Sequence, residues 1–216
     1  MNVVFVFGAV LFDWQPAELV RQHFPDHAPH TQAANALAAN IFRHADWHAF
    51  DQGLLDQQEV IKRTVGRLAL PEAQVVELVS HIGERLTPIP ETLAVLQGLR
   101  VLRDAKTLLR GVPFQLYYLS NMPSPYARVL AQRHEFLQWF DGGIYSGDVK
   151  LIKPDPAIFD MLGKRHALPA HRTVFIDDLP ANVDAARAFG WSAIRFQNAA
   201  QLVRALADLG VVIPAA

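Results

Sequence analysis

The chain has 216 residues, a formal net charge of −1 from 20 basic and 21 acidic side chains, and 51% apolar content. That length accommodates an α/β core with a smaller inserted unit, and the charge balance gives no general pull toward nucleic acid or a membrane surface. The absence of cysteine excludes a disulfide framework, a zinc–thiolate site and a thiol nucleophile. No apolar run approaches the roughly 20 residues of a bilayer-spanning helix. Met1-Asn2-Val3 carries no basic region ahead of an apolar one, so no secretory leader is read and a cytoplasmic location is expected.

The first predicted element is the apolar run Val3-Val4-Phe5-Val6-Phe7, a buried strand breaking at Gly8. Residues 14 to 88 then lack the alternation of a strand. Segments 32 to 42 and 57 to 68 instead space their apolar residues by three and four, the pattern of amphipathic helices, and Pro71 opens a third helix through Val75, Val76 and Val79. Phe50-Asp51-Gln52-Gly53 reads as a turn among these helices, and Pro88 and Pro90 mark a hinge back to the main body. A long helix is expected from residue 91 to about residue 109.

Leu116-Tyr117-Tyr118-Leu119 is a second strand, ending in Ser120-Asn121. Lys153 precedes Pro154-Asp155-Pro156, where two prolines open a helix, and Thr173-Val174-Phe175-Ile176 is a strand delivering Asp177 and Asp178. A helix over 183 to 189 stops at Gly190, a late strand covers 192 to 196, and a final helix over 200 to 209 packs the sheet edge. Strands ending in polar groups with helices between them predict a parallel α/β sheet. Ligands bind outside the carboxyl ends of such sheets, which would bring these distant residues into one cleft.

Simpler readings stand beside the functional ones. Ser120-Asn121 and the Asp177-Asp178 pair are each acceptable helix caps, and Asp13 reads as a turn or capping residue. His44 and His48 are spaced to share a helix face, as zinc ligands do, but no third ligand matches them. His23, His27 and His30 are interrupted by prolines and read as a solvated loop. Trp14, Trp47 and Phe50 either line a cleft mouth or fill a core, and core is the commoner fate.

The ordered set Ser120-Asn121, Lys153-Pro154-Asp155-Pro156 and Asp177-Asp178, behind an apolar first strand, resembles the haloacid dehalogenase superfamily of hydrolases. The likeness is greatest to its sugar-phosphate phosphatase branch, which includes a bacterial α-glucose-1-phosphate phosphatase. It implies a Rossmann-like core over residues 1–13 and 89–216 with a helical cap over 14–88, acting on small phosphate monoesters with Mg²⁺. It further implies that Lys153 and Ser120 contact the phosphate, with Asn121 in the same motif. Asp178 and the Gly8 carbonyl would hold the metal, Asp177 would act through water or orient Lys153, and Asn182 would support the metal's surroundings. In the family's first motif an aspartate attacks phosphorus and a glycine follows three residues later; here those places hold Val6 and Ala9. An isopropyl group neither attacks phosphorus nor binds a cation, so phosphate binding without efficient turnover is expected.

Three readings of Val6 remain open: a natural pseudoenzyme serving a phosphorylated metabolite or a protein partner, an active protein using another group, and a variant of an active enzyme. The second departure at Ala9 favours natural divergence. Asp13 is the ordinary downstream acid of many relatives rather than a substitute nucleophile. Dehalogenation needs the same missing carboxylate, and the paired acids favour phosphate chemistry.

Overall fold

In the computed structural model, which describes residues 1–105 and 114–213, five parallel strands form one sheet in the order β3-β2-β1-β4-β5. The chain enters through β1 (Asn2–Phe5) and then runs through α1 (Pro16–His23), α2 (Thr31–Phe42), α3 (Ala45–Asp51), α4 (Gln57–Leu68) and α5 (Glu72–Arg85). It returns through α6 (Pro90–Asp104) to β2 (Gln115–Ser120), α7 (Ser124–Arg133), β3 (Gly142–Tyr145) and the short α8 (Ser146–Val149). The last units are α9 (Pro156–Arg165), β4 (Thr173–Asp177), α10 (Pro180–Ala188), β5 (Ser192–Arg195) and α11 (Ala199–Asp208).

β1 pairs with β2 on one side and β4 on the other, and all four of its residues are buried. This central position is why its sequence is a continuous apolar run rather than an alternating one. Alternation persists in the packing: Val3 and Phe5 join the apolar cluster that continues into the helical insertion, whereas Val4 joins the cluster under α9. The neighbouring strand β4 divides likewise, with Val174 and Ile176 on one face and Phe175 on the other.

Several boundaries differ from expectation for local reasons. β1 stops at Phe5 because Phe7 O accepts the amides of Leu11 and Phe12, at 2.9 and 2.8 Å, winding the chain into a tight loop before Gly8 can end the strand. The helix expected to begin at residue 91 starts at Pro90 and ends at Asp104; its predicted extension to residue 109 falls largely outside the described residues. α11 packs against α6. His23 is helical rather than in a loop, its Nδ1 lying 2.7 Å from Leu19 O, and His30 caps α2 by accepting the Ala33 amide at 3.1 Å. His44 caps α3 through the Asp46 amide at 3.1 Å.

The insertion leaves and rejoins the sheet at one place. Asp13 N donates to Thr87 O at 2.8 Å, Ile89 N donates to Leu11 O at 2.9 Å, and Phe12 bridges Pro88 in antiparallel fashion. Tyr126 of α7 reaches across to the insertion, its hydroxyl donating to Val79 O at 2.7 Å. No helix among the described residues is long and apolar enough to cross a membrane.

Candidate active site

The carboxyl ends of β1, β2 and β4 converge on a buried ion pair. Lys153 Nζ lies 2.7 Å from Asp177 Oδ2, and neither side chain has any exposed surface. The ammonium donates a second bond to Leu119 O at 2.8 Å. Asp177 Oδ1 accepts the Leu179 amide at 2.9 Å, while Asn182 Nδ2 donates to both carboxylate oxygens at 3.0 Å. Each oxygen therefore accepts two hydrogen bonds, and the lone pairs of Asp177 are fully used.

Asn121 fixes the lysine from behind. Its side-chain carbonyl accepts Lys153 N at 2.9 Å and its amide donates to Lys153 O at 3.0 Å, so a residue at the end of β2 clamps the backbone ahead of α9. Asp155 caps α9 through the Ala157 amide at 2.9 Å, with Pro156 in the first turn. Neither Ser120-Asn121 nor Asp177-Asp178 caps the helix that follows: Pro123 and Leu179 hold those cap positions without side-chain bonds.

Ser120 is 1% exposed, and its Oγ has no hydrogen-bond partner among the described residues although it lines the cleft with Lys153, Asp177 and Asp178. An unmade bond at a buried hydroxyl carries a desolvation cost that a ligand oxygen would relieve. Burial, and then the charge of Asp177, push Asp178 up to about 6. Asp178, outside the Lys153–Asp177 ion pair, lines the cleft together with Gly8. No group of three or more His, Cys, Asp or Glu capable of holding a metal occurs among the described residues. One carboxylate and one backbone carbonyl fit Mg²⁺ only as a partial shell that water and ligand oxygens complete.

Val6 also lines the cleft, 7% exposed, with its amide bonded to Ile176 O at 3.1 Å. Ala9 adopts a left-handed conformation, φ 60°, a backbone shape that glycine takes without penalty and alanine does not. Asp13 lies outside this cleft and accepts Gln15 Nε2 at 3.0 Å, the behaviour of a turn residue.

The helical insertion closes the cleft from above. Trp14, Phe42 and Trp47 pack edge to face, with centroids 5.1 and 4.7 Å apart, and Phe50 continues the row to Tyr126. Trp14 and Trp47 thus serve both as packing and as lining, whereas Phe50 is core.

One residue escaped the sequence reading. Asp51, at the end of α3, lines the cleft, and burial, only partly opposed by the charge of Lys153, pushes its carboxyl up to about 8. Its position is fixed by the following turn. Gly53 takes φ +73°, and a Cβ there would sit 2.4 Å from Gly147 O; Gln52 Nε2 donates to Lys150 O at 2.8 Å and Ser146 Oγ donates to Asp51 O. The glycine in Phe50-Asp51-Gln52-Gly53 was the available signal, because a close backbone approach beside an acid marks a docking point rather than a plain turn.

The family model described as haloacid dehalogenase-like hydrolase matches residues 10–190. The chain belongs to this family. The match begins beyond Val6 and Gly8, so it rests on the later motifs rather than on the altered first one. A sesquiterpene phosphatase of Aspergillus oryzae is 24% identical over 187 residues, covering 87% of this chain and 85% of that protein. A drimenol cyclase of Aspergillus calidoustus is 25% identical over 202 residues, 94% of this chain but 35% of the cyclase. A family enzyme of Bacteroides thetaiotaomicron, solved with magnesium and inorganic phosphate, shares the fold at a TM-score of 0.68 and 18% identity, covering 91% of this chain and 94% of that one. The L-2-haloacid dehalogenase of Xanthobacter autotrophicus aligns at a TM-score of 0.64 and 20% identity, covering 99% and 84%.

Proposed function

We propose that the cleft is a phosphate-ester site of the phosphatase type, in which a small phosphorylated metabolite binds and turnover is severely impaired by Val6. The observation that carries this reading is the orphaned Ser120 Oγ, a buried donor aimed into a cleft beside a buried ammonium. A phosphate oxygen supplies the acceptor that Ser120 lacks, and Lys153 contributes a fixed positive charge close by. Asn121, Asn182 and Asp177 hold that lysine in place.

Mg²⁺, held by Asp178 and the Gly8 carbonyl, would neutralise phosphate charge when bound. The valine withholds the carboxylate needed for attack on phosphorus and also removes a negative group that would repel a phosphate dianion. Ground-state binding is thereby favoured over chemistry. The phosphatase among the relatives supports the phosphate half of this reading.

The test is hydrolysis of an aryl phosphate with Mg²⁺, run beside calorimetric binding of inorganic phosphate. Binding weakened at least tenfold by Ser120→Ala is expected, with no turnover above that of Lys153→Ala and a rise of several orders of magnitude in Val6→Asp/Ala9→Gly. Clear turnover by the unmodified chain, abolished in Lys153→Ala, would overturn the impaired-turnover reading.

A further inference from the structure

The cleft of about 550 Å³ has two chemically distinct halves. The polar groups just described occupy its floor. Above them the lining contributed by the insertion and α7 is apolar, with Trp14, Ala38, Phe42, Trp47, Ile82 and Tyr126 as its main surfaces. Apart from Asp51, the polar side chains of the insertion that reach the cleft are Asn35, Arg43 and His48, and all three are exposed, which places them at the rim. Tyr126 offers its ring and not its hydroxyl, which is committed to Val79 O at 2.7 Å. Leu179 adds an apolar rim that is 51% exposed despite lying directly after the acid pair.

A sugar ring carries a hydroxyl on nearly every carbon, and burying hydroxyls without partners costs binding energy. This wall offers almost no partners. A hydrocarbon chain finds the opposite situation, because each methylene withdrawn from water tightens binding about fourfold. With water's share of roughly 30 Å³ as the measure, the cavity holds on the order of 18 non-hydrogen atoms. A phosphate group takes five of them, leaving room for a chain of roughly ten to fifteen carbons. Val6 fits this picture, since its isopropyl group extends the apolar surface down to the phosphate floor.

We infer that the ligand of this cleft is the monophosphate ester of a hydrocarbon alcohol of isoprenoid size, its phosphate on Ser120 and Lys153 and its chain along the aromatic wall, rather than a sugar phosphate. The inference rests on the phosphate reading given above and adds the identity of the organic group.

Quenching of tryptophan fluorescence reports binding directly, because Trp14 and Trp47 line the wall. The probes are inorganic phosphate, glucose 1-phosphate, the five-, ten- and fifteen-carbon prenyl monophosphates, and farnesol. The expected result is at least a tenfold gain from the five- to the ten-carbon ester, with glucose 1-phosphate binding no more tightly than inorganic phosphate. Ala39→Glu, which sets a carboxylate on the wall from α2, should weaken the fifteen-carbon ester at least tenfold. Affinity that is flat across the prenyl series, or glucose 1-phosphate binding more tightly than the ten-carbon ester, would overturn the assignment of the organic group. Farnesol binding as tightly as farnesyl monophosphate, with no effect of Ser120→Ala, would instead remove the phosphate reading and the ester with it.

Discussion

Replacing Lys153 by methionine removes the ammonium from a pocket in which neither it nor Asp177 touches solvent. The chain length and apolar stem are kept, so the main change is electrostatic: a carboxylate 2.7 Å from a cation becomes a buried carboxylate without one. Stranding one member of such a pair costs about 3–5 kcal/mol. Asn182 and the Leu179 amide still donate three hydrogen bonds to Asp177, which places the expectation at the lower end, about 3 kcal/mol. For a protein of this size that is a fall in Tm of roughly 6–12 °C. Asp177→Asn alone strands the ammonium and should cost a similar amount. The double variant strands neither charge, so it should be more stable than the sum of the single effects by about 2 kcal/mol or more. Urea denaturation followed in parallel by fluorescence and circular dichroism measures all three. A Lys153→Met loss below about 1 kcal/mol, or strict additivity in the double variant, would refute the view that the pair is electrostatically coupled and dry.

Asp51 should make stability pH-dependent. Burial pushes its carboxyl up to about 8, well above the usual carboxylate range, so the folded state keeps a proton that the unfolded state releases. Stability from this group is therefore greatest below pH 4 and declines as pH rises toward 8. Asp51→Asn removes the decline: its stability should match the parent's at pH 4 and exceed it at pH 8 by about 2–3 kcal/mol once screening by cleft water is allowed for, a melting temperature higher by roughly 4–12 °C. Curves that run parallel across this range would disprove the cause. Ala9→Gly relieves a left-handed alanine worth about 1–2 kcal/mol. Because glycine also loosens the unfolded chain by about 0.4–1 kcal/mol, thermal melts should show a small net gain, and a clear loss would mean that the alanine methyl has packing value.

Ser120-Asn121 and Asp177-Asp178 were legible because each ends a strand in polar groups, and Lys153 because two prolines open a helix behind it; the sheet brings the strand ends together in the way parallel topology requires. Insertion helices with clean three- and four-residue spacing were found to within a residue or two, as at Gln57–Leu68. β3 was not read, since Gly142-Gly143-Ile144-Tyr145 has little apolar alternation. Its glycines answer to tertiary packing: a Cβ on Gly143 would lie 2.4 Å from the Tyr118 ring. The short helices Pro16–His23 and Ala45–Asp51 were also missed, the latter started by a histidine cap that composition does not advertise. Asp51 carries no motif of its own. Its environment comes from the docking of Gly53 on Gly147, a contact between residues far apart in the chain.

The paired backbone bonds around Leu11, Asp13, Thr87 and Ile89 make the five-helix excursion, from the sheet's point of view, a single long hairpin. Its exchange for another insertion would leave strand order and registers untouched, so ligand choice can diverge independently of the machinery beneath it. The shared packing sets a limit on that freedom, because a replacement must still cover α7, with an aromatic edge for the Tyr126 ring and a carbonyl for its hydroxyl. A chimera joined at these two points, carrying a polar-walled insertion that keeps this underside, would recast what the floor receives without redesigning the floor.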